Sequence, residues 1–225
     1  MCFSAEASFG ASTILMVIGV VSTRVSATNP QRLLSSIPFI FGVQQFAEGV
    51  LWLSLSGAGF AHLNGIATYT FLFFAQVVWP TIVPLSVMLM EKDPKNRKVL
   101  GLILALGMVI SGWLAYCLLV YPVDAQISCS HILYGLHFPP FMKYLGFLYL
   151  IATVSPSIIS SIRRLRLLGI VILASYIVTR IFYQYYLISV WCFFAALISL
   201  VALSVIIKLN EKPRIAPPVL EKIGI

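Results

Sequence analysis

Charge is scarce in this sequence. Charged side chains make up 10% of its 225 residues, and only 7 are acidic, against a hydrophobic share of 60% and a mean hydropathy of +0.99. A water-soluble domain of this length cannot hide so much apolar surface, so the surrounding solvent is expected to be lipid. Other absences narrow the chemistry. None of the 3 histidines falls near the middle of an apolar segment, which disfavours a haem held across helices. The last apolar segment has no lysine inside it to form a Schiff base with retinal. Cys129 and His131 stand two apart, with His137 six further on and His62 in another loop, and none of these is a usual zinc spacing. Cys2 and His131 are left as the metal-ligand candidates, and no cofactor is indicated. No soluble domain and no aromatic–basic alternation argue for nucleic acid. No internal repeat is evident either. The start of the chain lacks the basic flank of a signal peptide: Glu6 precedes the first apolar run and Arg24 follows it.

What is present is a series of apolar segments. A hydrocarbon core of about 30 Å needs roughly 20 apolar residues per helix. Seven segments fit, at about 8–23, 34–57, 65–90, 99–121, 140–161, 166–183 and 186–208. The last two cover some 40 residues, about 60 Å as one helix, twice the membrane thickness. A tight hairpin is therefore expected at Tyr183, Gln184, Tyr185 and Tyr186. The expected fold is all-α: a polytopic membrane helical bundle with seven transmembrane helices over residues 1–209 and a short tail over 210–225, expected to be disordered. An odd number of helices argues against the inverted repeats of many transporters.

The basic residues orient this bundle. Of 15 Lys and Arg, all but Lys143 and Arg180 fall in the connections after helices 1, 3, 5 and 7. Positive-inside bias makes that face cytoplasmic, with the N-terminus outside and the C-terminus inside. The net charge of +8 then reads as anchoring charge beside anionic lipid. All four cysteines (Cys2, Cys117, Cys129, Cys192) and all three histidines map to the outer half. Cys2 and Cys129 form the disulfide candidate, although four cysteines allow three pairings. Cys117 and Cys192 read as small apolar packing residues.

Helix 2 carries a polar stripe, Gln44, Gln45, Glu48 and Trp52, at helical spacings of three and four. A carboxylate at that depth costs at least about 2.5–3.5 kcal/mol unless it faces the bundle interior and finds partners. Arg180, the one Arg or Lys well inside an expected helix, is the expected ion-pair partner. Gln76 and Trp79 lie at mid-membrane on helix 3, beside Pro80 and Pro84. Those prolines, like Pro156 on helix 5, free backbone carbonyls that must be met by neighbours or line a cavity. If Met1 is removed, Cys2 becomes an N-terminal aminothiol, able to ligate a soft metal or act as a nucleophile.

The opening MCFSAEASFG and the helix-2 run FGVQQFAEGVLW resemble an uncharacterised family of bacterial polytopic membrane proteins. Its members begin Met-Cys-(Phe/Trp)-Ser-Ala and carry a (His/Gln)-Gln-x-x-Glu-x-x-x-Trp pattern on the second helix. Here the matching positions are Cys2, Phe3, Ser4 and Ala5, then Gln44, Gln45, Glu48 and Trp52, with Gln44 where other members have His. The resemblance covers the first quarter of the chain and carries no reaction with it. It implies that the N-terminal segment and the helix-2 stripe belong to one site.

Together these features give an expected outward-facing polar site within the cytoplasmic membrane that binds or modifies a lipid or small amphiphile. Cys2, Ser4, Glu6, Gln44, Gln45, Glu48, Trp52, Gln76, Trp79 and Arg180 would line it. In an enzyme, Glu48 would be the general acid or base, Cys2 the nucleophile or a metal ligand, and Arg180 the anchor for an anionic group. Proton-coupled transport through Glu48 is the alternative, followed by a membrane receptor or scaffold. Gly10, Gly19, Gly107 and Gly112 allow close helix packing, within one chain or in a homo-oligomer.

Overall fold

The structure, a computed structural model, describes residues 4–57, 59–139, 142–191 and 194–210. Cys2, Cys192 and the tail beyond Asn210 lie outside the described residues. Helix α1 (Ala5–Arg24) starts at Ser4, whose Oγ accepts from the Ala7 N–H at 3.2 Å. Glu6 in its first turn and Arg24 in its last both complement the helix dipole. Its buried residues, Ser8, Ser12, Leu15, Gly19 and Ser22, recur at steps of four and three. That seam of mostly small side chains lies against α2 (Asn29–Leu55) and lets the backbones approach. Ser12 Oγ donates to the Gly42 carbonyl at 2.8 Å, and a Cβ on Gly19 would sit 2.5 Å from the Phe39 nitrogen.

The next element is one apolar rod in three parts: α3 (Asn64–Leu72), a π-helical stretch (Phe73–Val78) and α4 (Trp79–Met90). Helix α5 (Pro94–Val120) is capped by Asp93, which accepts from the Lys95 N–H at 3.2 Å. Gly107 of α5 meets the Pro80 carbonyl so closely that a Cβ there would stand 1.9 Å from the oxygen. Pro84, having no N–H, leaves that carbonyl outside the helical ladder.

An antiparallel hairpin follows, β1 (Val123–Ser128) and β2 (His131–Leu136), turned at Cys129 and Ser130 with φ of 47° and 60°. Two successive left-handed residues match the twist of the strands. The hairpin falls between the fourth and fifth expected apolar segments and is an addition to the otherwise all-helical fold. It docks by stacking Tyr134 on Phe71, with ring centres 4.9 Å apart. At its tip Ser128 Oγ and the Tyr186 hydroxyl are hydrogen-bonded at 3.1 Å.

Helices α6 (Met142–Ile159), α7 (Arg163–Phe182), α8 (Leu187–Trp191) and α9 (Ala195–Asn210) complete the bundle. The expected reversal at the aromatic cluster is a 3₁₀ turn over Gln184–Tyr186, after which α8 and α9 pack back on α7. Helical elements thus fall in each of the seven expected apolar segments. Among the described residues only four are long and apolar enough to cross a membrane: Ala5–Arg24, Ala61–Met90, Pro94–Val120 and Arg163–Phe182. Helix α2, 27 residues long, is diluted by its own polar stripe, while α6 and α9 border residues outside the described ones.

Three cores result. One, around Leu34, Val87, Leu100, Leu165 and Ile206, sits at the end where α4 meets α5 and α6 meets α7. A second, around Leu51, Trp52, Phe71, Ile132 and Tyr134, sits beneath the hairpin. The smallest, of Ile110, Leu114 and Ala152, joins α5 to α6.

Candidate functional site

The helix-2 stripe is wholly buried. Gln44 and Gln45 are each 2% exposed and Glu48 is 0% exposed. Helical spacing puts Gln45 one turn before Glu48, and its Nε2 donates to Glu48 Oε2 at 2.8 Å. The other carboxylate oxygen accepts from Ser189 Oγ of α8 at 2.7 Å. Gln44 Oε1 accepts from the indole N–H of Trp79 at 3.1 Å, and Trp79 in turn stacks on Phe41 at 4.0 Å. The stripe is thus a set of ties from α2 to α4 and to α8.

The expected ion pair is not made. Arg180 lies exposed in the last turn of α7, while Glu48 Oε1 and Oε2 accept from Ser189 and Gln45. The reason is in the helix phase. Ser175 and Thr179 face inward on α7, and Arg180, next in sequence, is carried round to the outer surface. A short serine on α8 fills the place expected for the long guanidinium.

The two motifs of the resemblance do meet in part. Ala5 packs against the core that holds Ala47, Leu51 and Trp52, and the Phe9 ring lies against Gly49. Ser4 serves as the α1 cap, while Glu6 is exposed. Trp52 is 7% exposed, and its indole N–H has no hydrogen-bond partner among the described residues. Cys2 lies outside the described residues. Cys129 is an exposed free thiol in the hairpin turn and Cys117 is buried. His131 stacks on Tyr186 at 4.8 Å, with Nδ1 2.7 Å from the Cys129 carbonyl oxygen. No group of three or more His, Cys, Asp or Glu able to hold a metal occurs among the described residues.

Between the helices lies a cavity of about 480 Å³. It runs from Leu136 and Phe138 under the hairpin to Leu34, Val87 and Leu168 near the opposite end. Its walls are mainly aliphatic and aromatic, with Gln44, Gln76 and Trp79 among the lining residues and Glu48 not among them. The π-helical stretch explains Gln76's position, since the wider turn interrupts the regular ladder just before Pro80, which has no N–H to give. Side chains meet two carbonyls there: the Tyr149 hydroxyl donates to Ala75 O at 2.7 Å and Ser111 Oγ to Val77 O at 2.6 Å. The opposite wall is aromatic. Trp191 packs edge-on to Tyr176 at 5.4 Å and donates to Ser175 Oγ at 2.9 Å.

Sequence reasoning missed Ser189, Tyr149, Ser111, Tyr176 and Trp191. Ser189 had one signal, a lone hydroxyl in the apolar run LISVW. The others look like ordinary helix residues until the partner helices are placed.

A second buried carboxylate, Glu91, closes the far end at 4% exposure. It accepts from the Lys92 N–H at 2.9 Å, the Asp93 N–H at 3.0 Å, the Ser161 N–H at 2.8 Å and Ser160 Oγ at 3.0 Å, and also from Ser161 Oγ. Burial raises its pKa, but the Ser161 hydroxyl, the Asp93 and Ser161 amides and the Ser160 hydroxyl together outweigh burial and lower it to about 2. Glu91 therefore binds the α4–α5 connection to the α6–α7 connection.

No curated protein and no solved structure matches this chain. One family model does, over residues 1–217, nearly the whole length, including both motifs and every helix that lines the cavity. The chain belongs to a family of unknown function, DUF6629.

Proposed function

We propose that this is a multi-pass protein of the cytoplasmic membrane that binds a lipid or small amphiphile in the cavity between its helices. The observation that carries this reading is the cavity itself. At about 480 Å³ it falls within the roughly 300–1,000 Å³ of small-molecule sites, and it joins long apolar walls to a few amide and hydroxyl groups. An amphiphile has that same division of surface. Binding is favoured over catalysis because Glu48 is not among the lining residues and its oxygens accept from Gln45 and Ser189.

The reading includes seven membrane crossings, with the N-terminus outside and the C-terminus cytoplasmic. Glu91 supports it by joining two of the basic connections, which carry Lys92, Lys95, Arg97 and Lys98 and Arg163, Arg164 and Arg166, at one end of the bundle. The hairpin with Cys129 is then outside.

Native mass spectrometry of gently purified protein tests the proposal. A retained lipid or amphiphile is expected, and it should be lost in Gly146→Phe. Gly146 borders the cavity, and a Cβ built on it meets nothing within 4 Å. Protein that carries no adduct, and takes none up from added membrane extract, would sink the reading.

A further inference from the structure

The polar groups that face the cavity differ from those expected in one respect, which is charge. Among the described residues that line it there is no Asp, Glu, Lys, Arg or His. Lys143 lies outside the described side chains, and the described titratable groups nearest the lining in sequence are turned away: His137, between Leu136 and Phe138, is exposed and lies 3.4 Å from Asp124. Glu48, one turn beyond Gln44, has its oxygens held by Gln45 and Ser189, and Arg180, one turn beyond Tyr176, is exposed on the outside of α7.

Three lining side chains keep neutral hydrogen-bonding capacity. Gln76 makes no hydrogen bond among the described residues, so its amide offers both a donor and an acceptor. Ser157, 0% exposed and next to Pro156 in α6, has a hydroxyl with no partner among the described residues. The Tyr176 hydroxyl makes no hydrogen bond among them either.

A buried hydroxyl left unmet, as on Ser157, is costly, and a ligand head that supplies a complementary donor or acceptor removes that penalty. The half-buried Gln76 amide and Tyr176 hydroxyl are further partners for such a head. A charged head group would instead be desolvated with no counter-ion among the described lining residues to meet it. We propose that the cavity selects an uncharged amphiphile: one apolar chain ending in a head that both donates and accepts hydrogen bonds, such as an alcohol, an amide or a glyceride. This rests on the reading above and names the ligand class within it.

The test compares two probes of the same shape, dibromostearamide and dibromostearate, as quenchers of tryptophan fluorescence. Trp79 and Trp191 line the cavity and act as reporters, and Trp113→Phe removes an exposed indole that bound detergent or lipid would quench. At alkaline pH the amide is expected to quench saturably. The carboxylate should bind about 100-fold more weakly, the factor implied by placing one unpaired charge in an apolar interior. The saturable component should vanish in Gly146→Phe. Where that variant fails to fold, Trp191→Phe should remove a part of it. Equal or tighter binding of the carboxylate overturns the neutral-ligand inference and leaves amphiphile binding standing. Absence of saturable quenching by both probes overturns amphiphile binding as well. Saturable quenching that survives Gly146→Phe or Trp191→Phe unchanged places the amide elsewhere, and overturns the proposal.

Discussion

Ser189 Oγ donates to Glu48 Oε1 across 141 positions of sequence, joining the second helix to the short α8. With Gln45 on the other oxygen, the carboxylate has a donor on each side at 0% exposure. Ser189→Ala should therefore lower stability by about 1–2 kcal/mol, the loss on leaving a buried acceptor short of a donor. Gln45→Leu should do the same. Thermal unfolding in a mild detergent measures both. A melting temperature unchanged in Ser189→Ala would refute the structural role given to Glu48.

Glu91 makes a prediction about pH. Its folded pKa lies near 2, below the ordinary 4.5, so the unfolded chain binds the proton more readily in that range. Its contribution is complete above about pH 4.5 and is lost as pH falls toward 2. Solvent at the helix end screens the interaction, so about 1–2 kcal/mol is expected. Unfolding followed between pH 6 and 3 should show this slope in the parent and a shallower one in Glu91→Gln. Equal slopes would rule the clamp out.

The glycines should divide by position. Gly107→Ala and Gly19→Ala force a Cβ against backbone, at 1.9 Å from Pro80 O and 2.5 Å from Phe39 N, and each should cost about 1–3 kcal/mol. Gly10→Ala and Gly112→Ala meet nothing within 4 Å and should fold normally. The yield and melting temperature of the four variants decide this, and a destabilised Gly112→Ala would point to a second copy packed on that face.

Cys129 provides a test of sidedness. It is exposed in the hairpin turn, whereas Cys117 is buried. With Cys2 and Cys192 replaced by Ser, a membrane-impermeant maleimide applied to intact spheroplasts should label Cys129, and Cys129→Ser should remove that label. Labelling only after lysis would invert the proposed orientation.

The sequence made the helical framework legible because the framework follows from local apolar runs, and lipid-facing segments leave little room for another secondary structure. It also marked the helix-2 stripe, since Gln44, Gln45 and Glu48 at helical spacing must find partners somewhere. It could not say which partners. Arg180 was the attractive choice by charge, yet one residue of helix phase carries it to the surface, and Ser189 stands in its place. The hairpin was hidden for a different reason. Its strands are short, and its turn is made by Cys129 and Ser130 rather than by the Asn or Gly that usually advertise such a turn. The cavity belongs to nine segments at once, so no local pattern announces it.

The π-helical stretch at Phe73–Val78 acts as a phase setter for the rod that contains it. Each residue of a regular helix turns the chain by about 100°. Shortening this stretch by one residue into a regular helix would leave the composition and hydropathy of the segment almost untouched. It would still swing everything before it relative to everything after it by about that angle. Phe71 could then no longer stack on Tyr134 while Trp79 kept its bond to Gln44. The spacing between Phe71 and Trp79 is therefore a constraint in its own right, apart from the identities of the residues that fill it.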